Sequence, residues 1–273
     1  MEQVVVGIAV VGLLALVVGF LYLFFGELVG AIGILAHTAL PIAEKDRVLL
    51  EQWSRYYGRL SEKDREEFAR RVKEFIYDKH WVGKDVRLTR EMRVRVSAIA
   101  VQVTYGLGDL LLIHFGNIVI HPDAFHDRRS GAKFKGATYL RRGTIMLSWK
   151  HFTEGDADHT DAIHLGLHEF AHALWLEHAI PNEEDDYFDV QALNDWNRMA
   201  HTEMAMISAG ESRLFRRYAG TNEAEYFACA VEYFFEQAVA FKEKMPAEYA
   251  VMCRLLKQDP AGVIPQPLSK GDE

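Results

Sequence analysis

From Val4 to Phe25 the chain runs 22 residues without a charged side chain, a length of apolar sequence that must be buried in a core or in a bilayer. At about 1.5 Å per residue, a helix over it reaches about 33 Å, enough to cross a hydrocarbon layer about 30 Å thick. Residues 1–43 hold no Lys or Arg and only two acids, Glu2 and Glu27, so all 31 basic residues lie beyond them. A cleaved leader needs a basic start, and this chain begins Met1-Glu2-Gln3. The sequence therefore predicts an uncleaved transmembrane helix over about 4–25. Lys45, Arg47, Arg55 and Arg59 follow the span, which puts the rest of the chain in the cytoplasm, as a single-pass protein of the inner membrane. The next apolar stretch, Leu28 to Leu40, contains Gly30, Gly33 and His37. It is too short to span and reads as a helix continuation or an interfacial segment.

Beyond residue 43 the balance is 31 − 37 = −6, with 68 of 230 residues charged, the profile of an ordinary folded domain. Disorder, collagen and polytopic membrane classes are excluded. The acidic balance and the lack of a basic stripe argue against nucleic acid as a ligand, since phosphate binding needs clustered cations. Cys229 and Cys253 are the only cysteines, too few for a disulfide framework and consistent with a reducing compartment.

Residues 44–80 read as two helices, broken at Gly58, with Ser61 and Asp64 capping the second. Thr89 opens a helical run, Met92 to Tyr105. Ile118 to Ile120 and Thr144 to Trp149 are β-rich and bounded by Gly, Pro or Asn. Helical patterns follow over about 159–178, 187–208, 222–242 and 246–257. Helices, a small sheet, then helices again describe a mostly helical α+β domain over 44–260, with a flexible tail from 261.

The chemistry concentrates in His168-Glu169-Phe170-Ala171-His172, inside an apolar helical run. Residues i and i+4 of a helix stand one above the other, so both imidazoles can reach one metal ion. Glu169, about 100° further round, is poorly placed as a ligand and well placed as general base toward a water on the metal. With 12 His and 23 Glu in 273 residues, about 0.04 such motifs arise by chance. A catalytic zinc needs a third protein ligand and an open position. Glu225 is the best candidate, although Asn222 at N-cap with Glu225 at N3 also forms a capping box, and spacing does not decide between them. Glu232, seven residues on, could be a ligand or orient an imidazole. His164, one turn before His168, reads as a residue near the cleft, His151 as a surface histidine, and Cys229 as a small core residue.

The pair HEFAHALW (168–175) and YAGTNEAEYFACAVEYFFEQ (218–237) resembles the Mlc titration factor A family of zinc-dependent peptidases, to which the catalytic domain of anthrax lethal factor looks related. Asn117 to Phe125 is similar to that family's strand and Pro-acid-x-Phe turn, and Gly143 to Trp149 to its edge strand, so the resemblance covers about 45–260. It implies a zincin-like domain of gluzincin type holding one Zn²⁺ through His168, His172 and Glu225. Glu169 would be the general base. Tyr218, seven residues before the third ligand as in lethal factor, would steady the oxyanion. Family members usually carry Asp three residues after the second His, where this chain has Trp175; if that Asp orients a ligand, either Glu177, Glu232 or another acid substitutes here or metal affinity falls. The expected partner is a peptide or protein substrate, paired with an edge strand near Ile145 to Ser148. The alternative is a regulatory binding protein that sequesters a cytoplasmic partner such as a transcription repressor.

Overall fold

A computed structural model describes residues 41–126, 131–180 and 187–262. The span expected over 4–25, the stretch 28–40, the acidic run 183–186 and the tail from 263 lie outside the described residues. Among the described residues no helix is long and apolar enough to cross a membrane.

The chain divides after Ile42, and the unit from Ala43 on opens with α1 (Glu44–Trp53), α2 (Arg55–Arg59) and α3 (Glu62–Asp78). The first break falls at Ser54, in extended conformation with its side chain accepting from the Tyr57 amide. Gly58, expected as the breaker, sits inside α2, because a good N-cap outcompetes a glycine for where a helix begins. Ser61 caps α3 as expected and also donates to Asp64 at 2.6 Å. Strand β1 (His80–Gly83) leads to α4 (Arg90–Thr104), whose N-cap is Thr89.

The sheet is then completed by β2 (Asn117–His121), β5 (Gly136–Tyr139) and β6 (Thr144–Ser148), with β3 (Phe125–His126) and β4 (Lys133–Phe134) forming a separate ribbon. Its order is β1-β2-β6-β5: β1, β2 and β6 are parallel, and β5 runs antiparallel to β6. This corrects the expected edge. Thr144–Ser148 is an interior strand with both backbone edges used, and β5 closes the sheet. The alternation of β2 and β6 buries Ile118, Ile120, Ile145 and Leu147 on one face.

Against that sheet lies α6 (Leu165–His178), which follows α5 (Trp149–Ala157) and packs on β5, β6 and α4. Trp149 was expected to end a strand; Ser148 instead caps α5 by accepting from the His151 amide. The remaining helices are α7 (Val190–Ala209), α8 (Glu223–Glu236), α9 (Ala238–Lys244) and α10 (Pro246–Leu256). α8 is the main helical partner of α6. Leu167, Phe170 and Leu174 are buried on α6, each worth about 1.5–3 kcal/mol of burial, so the helix bearing the histidine pair is held on nearly every side. The observed class is mostly helical α+β.

Candidate metal centre

His168 and His172 face α8 from one side of α6, where Glu225 stands in the first turn of α8. Three atoms meet there. The Nε2 atoms of His168 and His172 are 3.1 Å apart, and Glu225 Oε2 lies 3.0 Å from the first and 3.3 Å from the second. Four tetrahedral ligands on bonds of about 2.0 Å stand about 3.3 Å from one another, so the three edges of this triangle have the spacing of zinc ligands.

The protonation pattern sharpens the point. His168 Nδ1 lies 3.0 Å from Glu232 Oε2, and a carboxylate can only accept, so Nδ1 carries a proton and Nε2 is the ring atom left to hold a second proton or a metal ion. Glu225 Oε2 is itself buried and makes no well-formed hydrogen bond. Three electron-pair donors at this spacing need a cation among them, a proton or a metal ion. Burial alone would push the His168 imidazole down, yet Glu225 and Glu232 outweigh it and hold it up to about 10. The same imidazoles overcome the upward push of burial on Glu225 and hold its carboxyl well below the ordinary range. A field that favours positive charge so strongly serves a divalent ion as well as a proton.

The capping-box alternative for Glu225 resolves in geometry. Asn222 Oδ1 accepts from the Glu225 amide at 3.0 Å, while the Glu225 carboxylate turns to the imidazoles, so cap and candidate ligand coexist in one residue. A second donor set, His168 with Cys229 and Glu232, fits a metal poorly. Burial pushes the Cys229 thiol up to about 12, which keeps it protonated, and the Glu232 oxygens are already engaged. Cys229 is a core residue, fully buried.

Glu232 is the acid bonded to the His168 ring. Besides His168 Nδ1 it accepts from the His164 amide at 2.9 Å and from the Arg216 guanidinium. Arg216 also donates to Ala162 O at 2.6 Å, where the backbone takes a left-handed turn just before α6. His164 caps α6, its Nδ1 accepting from the Leu167 amide and its Nε2 bonded to Asp156 at 2.8 Å. It is not near enough to join the triad. Glu177 is spent elsewhere, accepting from His114, and Trp175 packs against Phe227 with ring centroids 4.9 Å apart. His151 bonds Ser148 Oγ at 2.8 Å and is less exposed than a surface histidine. Outer partners of a ligating imidazole typically contribute 10- to 100-fold in affinity. Glu232→Gln is accordingly expected to weaken zinc binding by about that factor, measured by chelator competition. An unchanged affinity would reduce Glu232 to a structural salt-bridge partner.

Glu169 is 5% exposed, and burial raises its acid above the usual range. The Thr138 hydroxyl of β5 donates to its Oε2 at 2.8 Å. Its other oxygen faces Gly136: a Cβ built there would stand 2.4 Å from Glu169 Oε1. Gly136→Ala is therefore expected to displace the carboxylate and lower turnover by about tenfold or more while metal content stays unchanged, since both histidines are untouched. A variant with wild-type turnover would show that the carboxylate needs no such fixed position. Neither Thr138, Gly136 nor Arg216 carried a signal in the sequence, because each acts through a contact made only on folding. Tyr218, in a short 3₁₀ turn over Arg217–Gly220, stands with its ring centroid 6.1 Å from that of His168. It is half exposed, and burial followed by the Glu225 charge and hydrogen bond pushes its phenol up, so it stays a neutral donor.

The family model described as glucose-regulated metallo-peptidase M90 matches residues 34–257. The chain belongs to the M90 metallo-peptidase family. Among the similar proteins, slr2042 of Synechocystis is 24% identical over 213 residues, 72% of this chain and 78% of its own length. Mlc titration factor A of Edwardsiella ictaluri is 24% identical over 193 residues, covering 65% of this chain and 73% of its own. Mlc titration factor A of Yersinia pestis is 26% identical over 189 residues, covering 63% and 69%. The M90 match spans every residue of the triad, Glu169 and Tyr218.

Proposed function

We propose that this M90 member is a zinc-dependent peptidase of gluzincin type with a zincin-like domain. His168, His172 and Glu225 would hold the ion, and the observation that carries the reading is their three donor atoms meeting within 3.3 Å. Bound there, zinc supplies Lewis acidity that polarises a carbonyl and makes water a nucleophile at neutral pH.

The chain's own residues do the rest. Glu169, with its acid raised by burial, takes a proton from the attacking water and returns it to the leaving amine, the exchange that a carboxyl tuned toward neutrality performs best. Thr138 and Gly136 fix where that carboxylate points. Tyr218 O–H donates to the oxygen on which negative charge develops, and its high acid constant keeps the proton available for that bond. β5 ends the sheet with no further strand beside it among the described residues, and its backbone edge suits an extended substrate, held without demand for a particular side chain.

The regulatory alternative draws support from relatives named for titrating Mlc. In that reading the chain binds a cytoplasmic transcription regulator, and residues 4–25 hold the pair at the inner membrane. The two readings separate in one experiment on the full-length protein. Peptide hydrolysis should disappear on chelation and return with stoichiometric zinc. Absence of hydrolysis by the zinc-loaded protein, with regulator binding retained, would favour sequestration.

A further inference from the structure

From Gly131 to Thr153 the chain holds five cations, Lys133, Lys135, Arg141, Arg142 and Lys150, and no acid. That is a local charge of +5 within residues 44–273, whose balance is 31 − 37 = −6. In the middle of this segment runs β5, the strand that ends the sheet and lies against Glu169 at Gly136 and Thr138. The positive charge is thus concentrated along the sheet edge that adjoins the general base. Lys133, Lys135, Arg141 and Arg142 are exposed, and none of them pairs with an acid among the described residues. Arg142 lies over the Tyr139 ring, 5.4 Å from its centroid, which leaves its charge in place. Lys150 is the exception, paired with Asp123 at 3.3 Å. The His151 imidazole feels this field: burial and then the Lys135 charge push it down, although Glu154 and Asp123 act the other way.

A further cation stands on the His168 side of the site. Arg217 precedes Tyr218 in the 3₁₀ turn, and the two line a groove of about 460 Å³ with Ser208, Gly220 and Thr221. The groove opens beside the triad, because the Tyr218 ring that lines it is 6.1 Å from the ring of His168. Arg217 is exposed and has no ion pair among the described residues. Glu223, six residues on, is engaged by His201 at 3.3 Å. Unpaired cations therefore border the metal site both at β5 and at the turn that carries Tyr218.

We propose that the cleft selects acidic extended peptides, with Asp or Glu on residues flanking the cleaved bond, read by Lys135 and Arg141 at the two ends of β5 and by Arg217 in the groove. The inference rests on the peptidase reading and names its substrate class. Backbone pairing along Gly136–Tyr139 reads no side chain and covers about 14 Å, at about 3.4 Å per residue. Lys135 stands one residue before that stretch and Arg141 two residues after it, so a longer peptide runs past a cation at each end. The open N–H and C=O groups of an edge strand call for a peptide backbone, and the cations call for carboxylates; a nucleic acid would supply only the second. Each opposite-charge pair across a strand edge contributes about 1.5- to 5-fold in affinity, so two or three together give about tenfold. Lysines on an edge strand also guard it against pairing with other chains, and a purely protective role gives acidic peptides no advantage over neutral ones.

The test incubates a library of proteome-derived peptides with the zinc-loaded full-length protein and reads the cleaved bonds by mass spectrometry. Asp and Glu should be enriched about threefold or more near the cleaved bond, and Lys and Arg depleted. In the best-cleaved acidic peptide, replacing Asp and Glu by Asn and Gln should lower kcat/KM about tenfold, through KM. Raising NaCl to about 0.5 M should shrink that difference below about threefold, since screening weakens exposed charge pairs. Lys135→Gln combined with Arg141→Gln should shrink it as far, and Arg217→Gln by about half. All three side chains are exposed, so these variants should melt as the wild type does. Zinc-dependent cleavage of no peptide at all would sink the peptidase reading and this inference with it. Zinc-dependent cleavage without acidic enrichment, with kcat/KM unmoved by the Asn and Gln replacements, or with a preference indifferent to both salt and the variants, would overturn the substrate class alone.

Discussion

Glu169→Gln is expected to lower peptide hydrolysis by about 10³- to 10⁴-fold, the range of a positioned general base together with its return of the proton. The amide keeps the shape of the side chain and can still accept from Thr138, whose hydroxyl now lies 2.8 Å from the carboxylate. What it loses is the ability to carry a proton. Zinc content should stay at one per chain, because Glu169 is not among the three converging donors. Folding should be undisturbed or improved, since a neutral amide is cheaper to bury than a carboxyl that burial already drives toward its neutral form. The measurement is kcat with metal content on the same preparation. Hydrolysis within tenfold of wild type would remove Glu169 from proton transfer, and lost zinc would recast it as a ligand.

How much of this was legible in the sequence depends on how far apart the interacting residues are. Thr89 and Ser61 announced their helices because capping is a contact three residues long, and both cap as the pattern implies. His168 and His172 were legible for the same reason: helical spacing alone puts them on one face. Trp149 was misassigned although Ser148 offered a capping signal, since β-branched and aromatic content outweighed it. β1 and β5 escaped because four residues carry too little periodicity, and their strand identity comes from pairing with β2 and β6. For that reason the sheet's true edge, and with it Gly136 and Thr138 over Glu169, could not be placed.

Glu225 is where local and long-range chemistry compete in one residue, so its replacement separates them. Glu225→Ala is expected to raise the zinc dissociation constant by more than about 100-fold, above the effect of an outer partner, because a donor in direct contact is lost. The helix start should survive, since Asn222 accepts from the residue 225 amide, which alanine keeps. Asn222→Ala should do the reverse, costing about 1 kcal/mol of stability through the lost cap while leaving zinc bound. Zinc affinity by chelator competition and unfolding in urea, run on both variants, give a two-by-two outcome. If Glu225→Ala binds zinc as the wild type does, the carboxylate is no ligand and its approach to both imidazoles reflects only an ion pair. If instead affinity collapses there and persists in Asn222→Ala, the first turn of α8 holds the metal through its side chain and the helix through its backbone. In that case Glu232, two turns further on, serves both by anchoring His168 to the same helix.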